Sequence, residues 1–153
     1  MKWSLLVNEK IEKLPISLPF APVKTCVRQI HKSADISVVS SANQEAITEE
    51  WRAGGLLEYV DYVFSQSDGS KADCIRKMAD AGYDSRHILM VGDAPGDYEA
   101  AALNHAWYYP ILAGRELDSW ENLEQFFKLF VQGQFSDSIQ KILANVMRRN
   151  LGG

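Results

Sequence analysis

Short apolar runs alternate with helical patterns from residue 23 to residue 112, and this alternation limits the possible folds more than any other feature. The clearest run, residues 36–39, ends in Ser40 and Ser41. A short, continuous apolar run is typical of a parallel strand buried on both faces. Between the runs, apolar residues recur at helical spacing, as Ile47 and Trp51 do. The pattern predicts an α/β domain with a parallel sheet and right-handed crossovers.

Four strands are predicted in this region, over residues 36–39, 60–64, 87–91 and 107–111. A helix with Val23, Val27 and Ile30 on its buried face precedes the first of them, with Cys26 as a small core residue. Ser70 and Asp73 have the spacing of a capping box and mark another helix start. Residues 98–104 predict a short helix, and the apolar stripes of residues 123–131 and 139–147 predict two C-terminal amphipathic helices.

Residues 3–14 allow two interpretations. Trp3, Leu6, Val7, Ile11 and Leu14 follow a spacing of 3.6, which favours an amphipathic helix that ends before Pro15. Alternatively, residues 3–7 form a strand. The helical interpretation fits the apolar spacing better and is the one we predict.

Composition excludes several classes of protein. The 153 residues make about one domain, and a net charge of −4 without a basic run argues against nucleic-acid binding. Two cysteines without metal or disulfide spacing fit a reducing cytoplasm. No apolar run approaches the roughly 18 residues of a membrane span, so we expect a cytoplasmic protein without membrane contact.

Polar residues follow the predicted strands, at the edge where ligands bind in open α/β sheets. Ser40, Ser41 and Asn43 offer donors for a phosphate after the first predicted strand. Lys71 begins a helix, where its charge opposes the helix dipole, and this placement indicates an anion-binding position. Asn43 can instead cap the next helix, and Lys71 can be a solvated surface lysine.

Asp93 and Asp97 bracket a Pro-Gly turn after the third predicted strand. Two hard oxygen donors with room for water suit Mg²⁺, which keeps several waters in its octahedral shell. The same sequence also fits an ordinary turn in which one aspartate caps the following helix. These features follow one order along the chain: a strand that ends in serine, a lysine at a helix start, and a strand followed by two aspartates. This combined pattern favours a functional site over ordinary turns and helix caps.

In this order the chain resembles the haloacid dehalogenase-like (HAD) superfamily of phosphohydrolases. Residues 36–40 resemble its second motif, residues 69–71 its third, and residues 88–93 with Asp97 its fourth. The resemblance covers roughly residues 20–115 and implies a Rossmann-like parallel α/β core. It further implies that Ser40 hydrogen-bonds the substrate phosphoryl group.

The resemblance also assigns roles to the charged residues. Lys71 neutralises the phosphoryl charge and holds the nucleophile, Asp93 binds Mg²⁺, and Asp97 completes its shell or positions the loop. Cations and donors held in position are what a phosphoryl transition state requires. On this basis Ser40 and Lys71 are the expected catalytic residues, and Mg²⁺ is the expected cofactor.

The chain departs from the family at its first motif, Asp-x-Asp, which occurs nowhere in the sequence. If residues 3–7 were the first strand, Asn8 and Lys10 would occupy the two acidic positions, and an amide is a poor nucleophile. In the helical interpretation, residues 1–20 are the remnant of a cap or connecting helix, residues 21–115 form the core, and residues 116–153 form the C-terminal helices. A core of about four strands, with its first strand missing or replaced, is then expected.

These observations predict a truncated, Mg²⁺-dependent HAD-like phosphatase core that is inactive alone. Two alternatives stay open: a non-catalytic subunit that binds phosphate or a phosphorylated metabolite, and a half-enzyme completed by a separate N-terminal piece. Because a missing central strand leaves buried edges unpaired, we also expect a homodimer or association with that missing piece.

Overall fold

The computed structural model describes residues 3–8, 21–40 and 43–152. Within these residues the chain forms one parallel sheet of five strands with the order β3-β2-β1-β4-β5. The strands are β1 (Ser4–Asn8), β2 (Asp35–Val39), β3 (Tyr62–Phe64), β4 (Ile88–Gly92) and β5 (Trp107–Pro110). The helices are α1 (Ala21–His31), α2 (Gln44–Ala53), α3 (Lys71–Asp80), α4 (Pro95–Leu103), α5 (Glu116–Val131) and α6 (Asp137–Asn150). The predicted α/β class and parallel sheet are confirmed.

Alternate residues of each strand face opposite layers of helices, as the period of a strand requires. Leu5 and Val7 of β1 pack into a core with α1, α2 and α5, whereas Leu6 packs into a second core with α3, α4 and α6. The same alternation separates Met90 from Val91 in β4. The sheet is therefore buried on both faces, as a parallel sheet between two helical layers must be.

The N-terminal prediction is wrong for the residues that the structure describes there. Ser4–Asn8 is a strand, not part of a helix, and it lies in the middle of the sheet. It pairs with β2 from Ser4↔Asp35 to Asn8↔Val39, and with β4 from Ser4↔Ile88 to Val7↔Val91. The expected gap in the sheet does not exist, and the five residues of β1 belong to the core rather than to a cap remnant. Residues 9–20, also assigned to that remnant, lie outside the described residues.

The edge strand β5 is covered by a side chain of α6. Gln140 Oε1 accepts the Tyr108 N–H at 2.8 Å, and Gln140 Nε2 donates to the Tyr108 carbonyl at 3.0 Å. The amide group thus makes the pair of hydrogen bonds that a neighbouring strand would make. The C-terminal helices are therefore part of the core, since α6 completes an edge of the sheet.

Helix starts follow local capping rules. Ser70 Oγ accepts the Asp73 N–H at 3.1 Å, and the Asp73 carboxylate accepts the Ser70 N–H at 3.0 Å, which confirms the predicted capping box. Asn43 Oδ1 accepts the Ala46 N–H at 2.8 Å at the start of α2. No helix in the described part of the chain is both long and apolar enough to cross a membrane.

Candidate functional site

The carboxyl ends of the three central strands meet at one edge of the sheet. Strand β1 ends at Asn8 opposite Val39 of β2, and Val7 lies opposite Val91 of β4. Ser40 directly follows β2, and its N–H donates to the Phe64 carbonyl of β3 at 3.0 Å. Ser40 is buried at this position. The edge is the place where open α/β sheets bind their ligands.

An ion pair joins two of the predicted site residues across this edge. Lys71 Nζ lies 2.7 Å from Asp97 Oδ1, and the Asp97 side chain is completely buried while 30% of the Lys71 side chain is exposed. A buried carboxylate requires such compensation, because charge transferred from water is costly unless it is paired and hydrogen-bonded. The pair fixes the start of α3 to the start of α4.

Asp97 also organises its own turn. Its Oδ2 accepts the Ala94 N–H at 3.0 Å, while the Asp97 N–H donates to the Ala94 carbonyl at 2.9 Å. Both carboxylate oxygens are thus engaged by the protein. The predicted alternative that one aspartate caps the following helix describes Asp97 well, because Pro95 begins α4 two residues earlier.

Lys71 reaches the site because the Ser70 cap begins α3 at that residue. The capped N-terminus places Gly69, Ser70, Lys71 and Ala72 along one side of a cavity of about 570 Å³. Val39 and Ser40 also line it, and α4 contributes the residues Gly96, Glu99, Ala100 and Leu103. Ser40 and Lys71, which were both predicted to contact the substrate phosphoryl group, therefore line the same cavity.

Tyr108 supports the turn that carries the aspartates. Its hydroxyl donates to the Gly92 carbonyl at 2.9 Å, at the end of β4. Burial raises the pKa of Tyr108 well above its ordinary value, and the nearby carboxylates of Asp97 and Asp93 raise it further. The phenol consequently stays protonated and acts as a donor. The sequence predicted only that Tyr108 lies on a strand, residues 107–111, and its polar hydroxyl on such a strand was the one signal that it needs a partner.

The remaining predicted residues have different positions. Asn43 uses its side-chain oxygen as the α2 cap and lines a separate surface pocket with Thr48 and Arg52. The structure therefore does not bring Asn43 to the cavity of Ser40 and Lys71. Ser41 lies outside the described residues. Asp93 begins the turn that Asp97 ends and is partly exposed.

The described donors do not fit a resident Mg²⁺ ion. Asp97 directs one oxygen to Lys71 and the other to the Ala94 N–H. A metal ion bound to Asp97 would displace the Lys71 ammonium group or break the hydrogen bond that closes the turn. Within residues 3–8, 21–40 and 43–152, no group of three or more histidine, cysteine or acidic residues is placed to hold a metal ion. The residue that ends β1 is an asparagine, Asn8, a residue type without charge.

Comparison with known proteins agrees with the family resemblance of the sequence motifs. The family profile described as haloacid dehalogenase-like hydrolase matches residues 4–105, a range that begins in β1 and ends after α4. A search of the curated proteins gives no match to this sequence.

Solved structures share the fold at low sequence identity. The core domain of a proposed phosphoglycolate phosphatase from Streptococcus pneumoniae TIGR4 superposes with a TM-score of 0.56 at 13% identity, covering 73% of this chain and 81% of that one. A HAD-superfamily hydrolase from Ehrlichia chaffeensis superposes with a TM-score of 0.53 at 13% identity, covering 70% of this chain. This chain spans 56% of the Ehrlichia protein.

Proposed function

Because the chain belongs to the haloacid dehalogenase-like hydrolase family, we propose that it binds a phosphorylated small molecule at the end of its sheet without transferring the phosphoryl group. The observation that carries the proposal is the cavity lined by both Ser40 and Lys71. A serine hydroxyl and an ammonium group are suitable donors for a phosphoryl group. The N-terminus of α3 on the same cavity wall further favours an anion.

The end of β1 supports binding rather than hydrolysis. The family resemblance implies a nucleophilic aspartate directly after the first strand. In this chain, β1 ends in Asn8. An amide lacks the negative charge and nucleophilicity for an attack on phosphorus, and such an attack is how covalent catalysis by a carboxylate begins. Ser40 and Lys71 can therefore hold a phosphoryl group, but neither replaces that carboxylate.

A larger cavity does not compete with this site. It lies between α1 and α5, has a volume of about 690 Å³, and is lined by residues such as Cys26, Trp120 and Phe127. The carboxylates Glu121 and Glu124 are balanced there by Lys32 and Lys128, so this cavity offers an anion no net positive charge. The smaller cavity at the carboxyl ends of the strands has the chemistry for a phosphate.

Calorimetric titration with inorganic phosphate tests the proposal, together with a turnover assay on a simple phosphomonoester. We expect binding without turnover, and we expect Lys71→Gln to weaken binding at least roughly tenfold, or about 1.4 kcal/mol. Lys77→Gln is the matched control, because Lys77 lies on the same helix but contacts the Asp68 carbonyl at 2.7 Å. Absence of phosphate binding, or turnover by the purified chain, would contradict the proposal.

The half-enzyme alternative is less well supported. It requires a separate piece to supply the central strand, and β1 already occupies that position between β2 and β4. The same observation removes the unpaired central edges from which self-association was predicted. Association with a second copy stays a prediction, which sedimentation of the purified chain tests.

A further inference from the structure

We propose that Lys71, rather than a divalent metal ion, supplies the positive charge for a phosphorylated ligand, so that the cavity binds phosphate in metal-free solution. This inference rests on the proposed function and adds to it the nature of the cation. Ligand binding by this chain then does not need the Mg²⁺ that the family resemblance implies. Three features of the described residues support this role of Lys71.

The first feature is the commitment of Asp97 to the protein. Its two oxygens contact Lys71 Nζ at 2.7 Å and the Ala94 N–H at 3.0 Å. The side chain is completely buried and packs directly against the backbone of Gly92. Turning the carboxylate toward a metal ion would break both contacts and leave Lys71 without its partner.

The second feature is the small number of charged oxygen donors at the strand ends. Mg²⁺ dehydrates reluctantly and is held in proteins mainly through carboxylates. With Asn8 at the end of β1 and Asp97 engaged, Asp93 is the other carboxylate of the described turn between β4 and α4. Without a bound phosphate, a single carboxylate is a weak site for this ion, because Mg²⁺ keeps most of its waters and is bound through one or two carboxylates together with substrate phosphates.

The third feature is the position of Lys71. The ammonium group has three N–H donors, and the contact with Asp97 uses one of them. With 30% of its side chain exposed, Lys71 is anchored by a buried carboxylate while it lines the cavity with Ser40. Lysine is an established binder of phosphate as a point charge. The buried pair therefore holds a cation at the position where a metal ion would otherwise be needed.

The experiment is a calorimetric titration of the full chain with inorganic phosphate, once in EDTA and once in excess Mg²⁺. We expect dissociation constants that agree within about threefold, whereas a metal-mediated site would lose at least roughly tenfold in EDTA. A titration with Mg²⁺ alone is expected to give no binding heat. Asn8→Asp adds a carboxylate at the end of β1 and serves as the comparison, with Mg²⁺ binding expected to appear.

The outcomes separate the two proposals. Equal phosphate binding in both buffers, lost in Lys71→Gln and kept in Lys77→Gln, supports the inference. Phosphate binding that requires Mg²⁺ overturns the inference and leaves the proposed function in place. Failure to bind phosphate in either buffer overturns both. Lys71→Arg keeps the charge and should retain binding, which distinguishes loss of the cation from misfolding.

Discussion

The Asp97 carboxylate packs against the backbone of Gly92 so closely that a Cβ atom on Gly92 would lie 2.1 Å from Asp97 Oδ2. This distance is far below any van der Waals contact. Because Asp97 is also held by Lys71 and by the Ala94 N–H, it has no room to move away. The absence of a side chain at residue 92 is thus a condition for the buried ion pair.

Gly92→Ala should destabilise the chain by roughly 1–3 kcal/mol, the usual effect of forcing an extra group into a packed interior. Urea denaturation measures the free energy of unfolding. Gly96→Ala is the control, since a Cβ there meets nothing within 4 Å and should stabilise α4 by about 0.4–1 kcal/mol. Equal effects of the two substitutions would contradict the packing argument.

Lys71→Gln should lower the free energy of unfolding by roughly 1–3 kcal/mol, because it leaves the buried Asp97 carboxylate without its cation. Adding Asp97→Asn to this variant removes the orphaned charge and should recover part of the loss. A double-mutant cycle from urea denaturation measures the coupling between the two residues. Strict additivity would show that the pair contributes nothing beyond its separate members.

Gln140→Ala should expose the outer edge of β5. The substitution removes both hydrogen bonds to the Tyr108 backbone and should cost roughly 1–3 kcal/mol. Hydrogen exchange at the Tyr108 amide should accelerate more than exchange in β1, which is paired on both sides. Lys141→Ala, at the exposed neighbouring position, should leave both measurements unchanged.

Glu99→Gln should strengthen phosphate binding. Glu99 is exposed and contributes a carboxylate to the cavity wall, where it repels an anion through solvent. Since exposed charges are screened, the expected gain is modest, about threefold in affinity at low salt and less at high salt. Glu121→Gln makes the same change of net charge on α5 and should have no such effect. A comparable gain in both variants would assign the effect to net charge alone.

Alkaline pH should destabilise the chain through its thiols. Burial and then the Glu124 carboxylate raise the pKa of Cys26 from 9.0 to about 12, and burial and then Asp68 raise the pKa of Cys74 to about 11. Above pH 9.0 the unfolded chain releases these protons while the folded chain keeps them, so the free energy of unfolding should fall as pH rises towards 12. Buried tyrosines act in the same direction. Cys26→Ala should reduce the slope in urea denaturation between these limits, and an unchanged slope would contradict the assignment.

Local signals in the sequence predicted much of the fold. The capping box of Ser70 and Asp73 needs only neighbouring residues, and the structure contains both of its hydrogen bonds. The order of strands and helices also predicted that Ser40 and Lys71 lie at the same edge of the sheet, and both line one cavity. These features depend on short segments whose patterns are complete within the segment itself.

The first strand was missed for a physical reason. Leu5, Leu6 and Val7 are all buried because the strand is covered on both faces, so it lacks the alternation of a half-exposed strand. Its apolar residues also continue into a helical spacing with Ile11, which favoured the wrong interpretation. The support of Gly92 by Tyr108 and the pairing of Gln140 with β5 depend on contacts far apart in sequence, which no local pattern contains.

The central position of β1 also affects the order in which the chain can fold. Ser4 pairs with Asp35 on one side and with Ile88 on the other, so β1 meets its second neighbour only after the roughly 80 residues between them have been made. Until then, one edge of an apolar strand has no partner. Pairings between such distant segments slow folding and expose strand edges to aggregation. Synthesis is thus a stage at which the edge of β1 is open to aggregation.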